Sequence, residues 1–274
     1  MTSHRSAAIG PLIRDWRQQR RLSQLDLALE AEISQKHLSF VESGRSQPSR
    51  DMVLLLAEHL GVPLRERNAL LLAAGYAPVY LERALEDPAL QAARAAVDLV
   101  LTGHEPYPAL AVDRHWTLLA TNAAVAPLLA LVGDADLLRP PVNVLRLALH
   151  PGGLAGATVN LGEWRAHLLA RLRQQVRIAA DPALADLLAE LLTYPAPPTA
   201  AADHALPADG AAIAVPLRLR VGEAVLSFIS TTTVFGTPVD ITLSELALET
   251  FFPADDMTAA ALRALAEARR DASC

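Results

Sequence analysis

Over the first 75 residues the apolar positions recur at helical spacing and the runs stop at glycines. Ile9, Leu12, Ile13 and Trp16 stand at i, i+3, i+4 and i+7, which predicts an amphipathic helix over residues 9–21. Pro11 fits only in its first turn, and Arg14, Arg17, Arg20 and Arg21 lie on the opposite face. Leu27, Ala28 and Ala31 form the inward face of a second helix, with Ser23 as N-cap and Asp26 three residues on as the partner in a capping box. Ser34 caps a third helix, in which Leu38 and Val41 point inward. Gln35, Lys36, Ser39 and Phe40 share its outer face, and Gly44 ends it where a left-handed residue costs least. Pro48 and Ser49 open a fourth helix over residues 50–60, and Pro63 opens a fifth that Gly75 ends. Five short helices make an all-α domain around a helix-turn-helix, in which the polar face of the helix that Ser34 caps is a base-reading surface.

The pattern after Tyr76-Ala-Pro78 differs. Leu81, Leu85, Ala92, Ala96, Leu99 and Val100 predict a connecting helix over residues 79–101, bent near Pro88. From Ala109 two short alternating runs flank Asp113-Arg114, a hairpin signal. Helices fit residues 122–132, 142–149 and 161–178, and Asp181 caps another to residue 193. Residues 195–210 hold four prolines and read as a surface loop. Three strands follow at 213–221, 224–235 and 239–249, with turns at Gly222-Glu223 and Gly236-Thr-Pro238. A last helix from 255 turns Leu262 and Leu265 inward. Two early strands, several helices and three late strands give an α+β, PAS-like domain with an antiparallel sheet. The expected division is 1–77 for the helix-turn-helix domain, 78–106 for a helical linker, 107–254 for the PAS-like domain and 255–274 for a C-terminal helix.

Composition narrows the function. Hydrophobic residues make up 52% of the 274, enough for sizeable cores. The single cysteine, Cys274, excludes a disulfide framework and a cysteine-based metal cluster and fits a reducing cytoplasm. With no signal peptide and no apolar run long enough to cross a bilayer, a soluble cytoplasmic protein without a membrane partner is expected. The net charge of −6 is unevenly placed. Residues 1–80 carry ten basic against eight acidic side chains, and the remainder fourteen against twenty-two. The one lysine, Lys36, falls on the recognition helix. A local basic patch, not the whole surface, must therefore meet phosphate.

Gln35 and Lys36 at the start of that helix suit adenine and guanine edges, and Phe40, with Ser39 beside it, suits a thymine methyl. Gln24, Ser34, Arg45 and Arg50 complete the expected DNA-binding set around the helix-turn-helix. The eight histidines show no metal-ligand spacing, and neither a nucleophile elbow nor a phosphate loop is present, so no catalytic or metal site and no enzymatic activity is expected. In the second domain Trp116, Leu118, Phe228, Ile229 and Phe235 alternate with Thr121, Asn122, Ser230, Thr231 and Thr233, and of these Trp116, Thr121, Asn122, Phe228, Thr231 and Phe235 are the expected ligand-binding residues. Apolar groups with a few polar ones are what a small-molecule pocket needs. They equally describe an ordinary core with strand threonines, and the residues leave both open.

Residues 9–75 resemble the Xre (lambda-repressor-like) DNA-binding domains through Ser23-Gln24, Leu38, Val41-Glu42-x-Gly44 and Pro48. The longer string from Leu38 to Val53, with Pro63 to Pro78, is similar to the MmyB-like regulators. Asp113-Arg-x-Trp116 with Asn122, Leu149-His-Pro151-x-Gly153 and Thr233-x-Phe-Gly-Thr-Pro238 extend that likeness through the second half. The resemblance implies a homodimeric transcription regulator on palindromic double-stranded DNA. It places Gln24 at a phosphate, Gln35, Lys36 and Phe40 at bases, and pairs Arg17 with Glu42. Glu32 stands where many members have a turn glycine. The implied effector is a small apolar molecule, fatty-acid-like in at least some relatives, with no other cofactor. The alternative is a C-terminal domain that serves only dimerisation or partner docking.

Overall fold

The structure is a computed structural model that describes residues 9–272, apart from 86, 180, 197–214, 237 and 239. The expected loop at 195–210 lies outside the described residues from 197 on, as do the start of the strand expected at 213 and Thr237 of the second turn. The chain divides into two compact units: Met1–Ala84 with Gly236–Ser244, and Leu85–Phe235 with Glu245–Cys274.

The first unit holds α1 (Ile9–Gln19), α2 (Gln24–Glu30), α3 (Gln35–Glu42), α4 (Arg50–His59) and α5 (Leu64–Ala73). Three serines start three of these helices. The hydroxyls of Ser23, Ser34 and Ser49 accept from the backbone N–H groups of Asp26, His37 and Met52, and the Asp26 carboxylate accepts from the Ser23 N–H at 2.9 Å. Each helix turns its apolar stripe to one core, in which Ile13, Leu27, Leu38, Val41, Val53, Leu56 and Leu71 have no exposure. Helices α1 and α3 meet closely at Gly10, where a Cβ would lie 2.6 Å from the carbonyl oxygens of Val41 and Glu42. The α2–α3 turn places Glu32 at φ 53°, so the glutamate itself adopts the left-handed conformation that glycine favours.

The connecting helix does not begin at residue 79. Asn68 holds that segment away from helix: its Oδ1 accepts from the N–H groups of Val79 and Tyr80, and its Nδ2 donates to the Tyr80 carbonyl at 2.7 Å. Leu81 then bridges Asp240, and the Ile241 N–H donates to the Leu81 carbonyl. Helical structure starts only at Asp87, which caps a 3-10 turn over Pro88–Leu90 that leads into α6 (Gln91–Gly103). Residues 78–106 are thus divided between the two units rather than forming a linker of their own.

The second unit is built on β1 (Ala109–Val112) and β2 (Leu118–Thr121), then α7 (Ala126–Leu129), α8 (Val144–Leu149), α9 (Leu161–Ala179) and α10 (Pro182–Thr193), then β3 (Leu217–Val221) and β4 (Ala224–Val234). Helix α11 (Ile241–Ser244) belongs to the first unit; β5 (Ala247–Pro253) and α12 (Asp256–Ala272) complete the second. The five strands form one antiparallel sheet in the order β2-β1-β5-β4-β3, the expected α+β, PAS-like arrangement. The strand expected at 239–249 is displaced. Asp240 accepts from the Thr242 N–H and starts α11, so the strand begins at Ala247 instead. On α10, Asp181 caps the N-terminus as expected. At the other end the buried Arg165 donates through Nη2 to the carbonyls of Leu191, Leu192 and Tyr194. A cation there completes the helix C-terminus.

Candidate DNA-binding face and ligand cavity

The recognition helix α3 is held from behind by a buried ion pair. Arg17 on α1 grips Glu42 as a fork, with Nε to Oε1 at 2.6 Å and Nη2 to Oε2 at 2.9 Å, while Nη1 donates to the Leu22 carbonyl. The Glu42 side chain has no exposure. Gln24 on α2 donates its amide to Oε2 of the same carboxylate at 2.8 Å, and Arg14 lies 3.5 Å from it. Burial alone would raise the Glu42 pKa. The hydrogen bonds from Arg17 and Gln24 and the charges of Arg17 and Arg14 outweigh it, and the carboxyl is held below its ordinary value. Three helices are tied at one buried group, which fixes the presentation of α3.

The outward face of α3 is as expected in kind. Gln35 and Lys36 are exposed, Ser39 and Phe40 are half-buried, and Arg45 and Arg50 are exposed beside them. Lys36 Nζ lies 5.7 Å and the Arg45 guanidinium 5.9 Å from the Phe40 ring centre, so two cations lie over one aromatic ring. Ser34 spends its hydroxyl on the His37 N–H and so starts the helix, and the Gln24 amide is joined to the Glu42 brace.

In the second unit strand alternation sorts the side chains. Leu110, Leu217, Leu219, Phe228, Ser230, Glu249 and Phe251 share one face of the sheet, as the pairings Leu217↔Phe228, Ser230↔Phe251 and Leu110↔Glu249 require. Trp164, Leu168 and Arg171 recur at helical spacing on α9 and face them. With Leu128 and Leu129 of α7 and Leu145 and Ala148 of α8 they enclose a cavity of about 110 Å³. Trp116 forms part of its wall from the loop between β1 and β2. Asp113 Oδ1 accepts from the N–H groups of His115 and Thr117, and this turn sets Trp116 at φ 65°. A non-glycine residue held there costs roughly 1–3 kcal/mol, and such strain gathers at functional sites. Its indole N–H donates to Gln175 at 2.8 Å, and the Arg171 guanidinium stacks 4.9 Å from its ring centre.

Of the six residues expected to line a pocket, Trp116 and Phe228 do so. The other four are corrected. Thr121 and Thr231 are exposed, the latter hydrogen-bonded to Thr250 on the opposite sheet face. Phe235 packs with the core around Val97, Leu101 and Leu248. Asn122 is buried, but its Oδ1 accepts from the Ala109 N–H and its Nδ2 donates to the carbonyls of Leu101 and Tyr107, a structural role. The residues missed are the leucines of α7–α9, Trp164, Arg171, Glu249 and Phe251. Among the described residues no three His, Cys, Asp or Glu side chains are grouped as a metal ion would need, and no helix is long and apolar enough to cross a membrane.

A helix-turn-helix with a braced polar recognition helix, joined to an α+β domain around an apolar cavity, defines a DNA-binding transcription regulator with a ligand-binding domain. Residues 93–265 match the family model of the MmyB-like transcription regulator ligand binding domain, and residues 13–67 match that of a helix-turn-helix. The first match spans more than half of the chain, which therefore belongs to the MmyB-like transcription regulators. No curated protein matches the chain.

Proposed function

We propose that the protein acts as a homodimer on a palindromic operator, and that its C-terminal domain takes a small effector with an apolar body and one polar end, fatty-acid-like in that sense, without catalysing a reaction. The observation that carries this reading is the cavity, walled by leucines and by Trp116 and Trp164, with its polar groups gathered at Arg171, Ser230 and Glu249. An apolar chamber with a few convergent polar groups is how proteins hold small molecules. Gln35, Lys36 and Phe40 would contact bases, and Arg45 and Arg50 phosphates, from a helix whose orientation the Arg17–Glu42 pair fixes. Two such helices in a dimer would read half-sites one helical turn apart.

Operator selection from a random duplex pool, followed by sedimentation of the protein with and without the selected duplex, tests the DNA half of the proposal. A two-fold-symmetric site bound by two protomers is expected. An asymmetric site bound by one protomer contradicts it. Native mass spectrometry of the purified protein tests the other half, a retained small apolar molecule being the expected result.

A further inference from the structure

We infer that the ligand's polar end is electrically neutral, an alcohol, amide or ester rather than a carboxylate. The inference rests on the reading of the cavity as a ligand site. Among the described residues, the charged groups lining that cavity are Arg171 and Glu249, and they already satisfy each other. Arg171 Nη2 donates to Glu249 Oε1 at 2.8 Å, and Nη1 reaches Oε2 at 3.4 Å. Thr232 completes the group, accepting from Arg171 Nη2 at 3.0 Å and donating to Glu249 Oε1 at 2.9 Å. The Glu249 side chain is only 6% exposed, and apart from Ser230 the rest of the chamber is lined by apolar side chains.

The charge balance decides the head group. Arg171 and Glu249 sum to zero, so an entering carboxylate would bring an uncompensated negative charge into an apolar chamber beside a buried glutamate. If it shared Arg171 it would set two carboxylates against one guanidinium charge, and if it took Arg171 outright it would leave Glu249 buried and unpaired, which is the costly way to break such a pair. Arg171 is further committed by its stacking on Trp116, so it cannot simply swing to a new partner without giving up that contact. A neutral head group meets no such penalty. The Ser230 hydroxyl lies on the same wall, makes no side-chain hydrogen bond among the described residues, and can donate to or accept from an alcohol or carbonyl. The volume, about 110 Å³, is close to that of an engineered cavity that takes up benzene, which points to a single ring or a short chain.

Two matched pairs of probes test this: 1-octanol against octanoate, and benzyl alcohol against benzoate, each titrated at pH 7.5 into the full chain. Binding is read by calorimetry and by the fluorescence of Trp116 and Trp164, which both line the cavity. At least one alcohol should bind, and at least tenfold tighter than its carboxylate. The variant Glu249→Gln leaves Arg171 without its counter-charge and should invert the order. If that variant does not fold, Arg171→Gln serves instead: it leaves Glu249 alone and should weaken the carboxylate further while sparing the alcohol. A carboxylate that binds the wild type as tightly as its alcohol overturns the neutral-head inference and leaves the ligand cavity standing. If none of the four probes gives heat or a fluorescence change, the inference falls together with the cavity reading on which it rests.

Discussion

Glu42 is a junction of the DNA-binding unit, because Arg17, Gln24 and Arg14 all converge on it from two other helices. Removing one member of a buried pair leaves the other charge uncompensated, at about 3–5 kcal/mol. Arg17→Ala should therefore lower the stability of the helix-turn-helix unit by about that much, measured by urea unfolding. The pair also predicts a pH dependence. The folded Glu42 carboxyl titrates below its unfolded value near 4.3, so its stabilisation is complete above that pH and is lost as the pH falls through the folded pKa. Melting curves of the wild type and Glu42→Gln between pH 7 and pH 3 should thus converge at the acid end. Glu32 predicts the opposite sign of change. Its φ of 53° costs a non-glycine residue roughly 1–2 kcal/mol, part of which glycine's extra unfolded entropy offsets. Glu32→Gly should gain roughly 0.5–1 kcal/mol, whereas Glu32→Ala should not.

For the elements, the local signals were the legible ones. Ser23, Ser34 and Ser49 are caps because a hydroxyl, a following N–H and a helical stripe are all neighbours in sequence. The strand expected at 239–249 failed because Asp240 prefers to cap a short helix, a competition that periodicity does not reveal. Four of the six expected pocket residues failed for a related reason. Whether a strand residue faces a cavity depends on register, and Thr231 and Phe228 sit on opposite faces of β4 though both fit an alternating run. Leucines of α7–α9 that line the cavity have the same spacing as core leucines, and Arg171 meets Glu249 across 78 residues of sequence, beyond any local pattern. On α3, Gln35→Ala or Lys36→Ala should cost ~1–3 kcal/mol of operator discrimination if the side chain makes a base contact. Arg45→Ala and Arg50→Ala should each reduce the slope of log affinity against log salt by roughly 1, with little change in sequence preference. On α8, Ala148→Phe projects a ring into the cavity and should abolish binding of the apolar probes, with a change in stability of at most about 1–3 kcal/mol.

At the scale of the whole molecule, chain connectivity links the two functions. Strands β4 and β5 supply Phe228, Ser230, Glu249 and Phe251 to the cavity, and the segment that joins them, Gly236–Ser244, belongs to the helix-turn-helix unit. There Asp240 is 1% exposed, bridges Leu81 and lies 3.4 Å from Arg83, while the Thr242 hydroxyl donates to the Arg83 carbonyl. A ligand that favours one placement of β4 and β5 would bias this segment, and coupling of this kind is commonly a 5- to 150-fold effect, about 1–3 kcal/mol. Asp240→Asn should leave operator and ligand affinities near wild type when each is measured alone, yet reduce the effect of one on the other. A ligand-responsive regulator of the proposed kind requires that occupancy of the cavity change the reading of DNA by α3, and fluorescence anisotropy tests this. The Kd of the full chain for its selected operator would be measured with the cavity empty and with it saturated by a bound probe, and again in Ala148→Phe. A shift of about 5-fold or more is expected in the wild type and none in the variant; an operator Kd that is the same with the cavity full and empty would mean that the cavity does not control DNA binding.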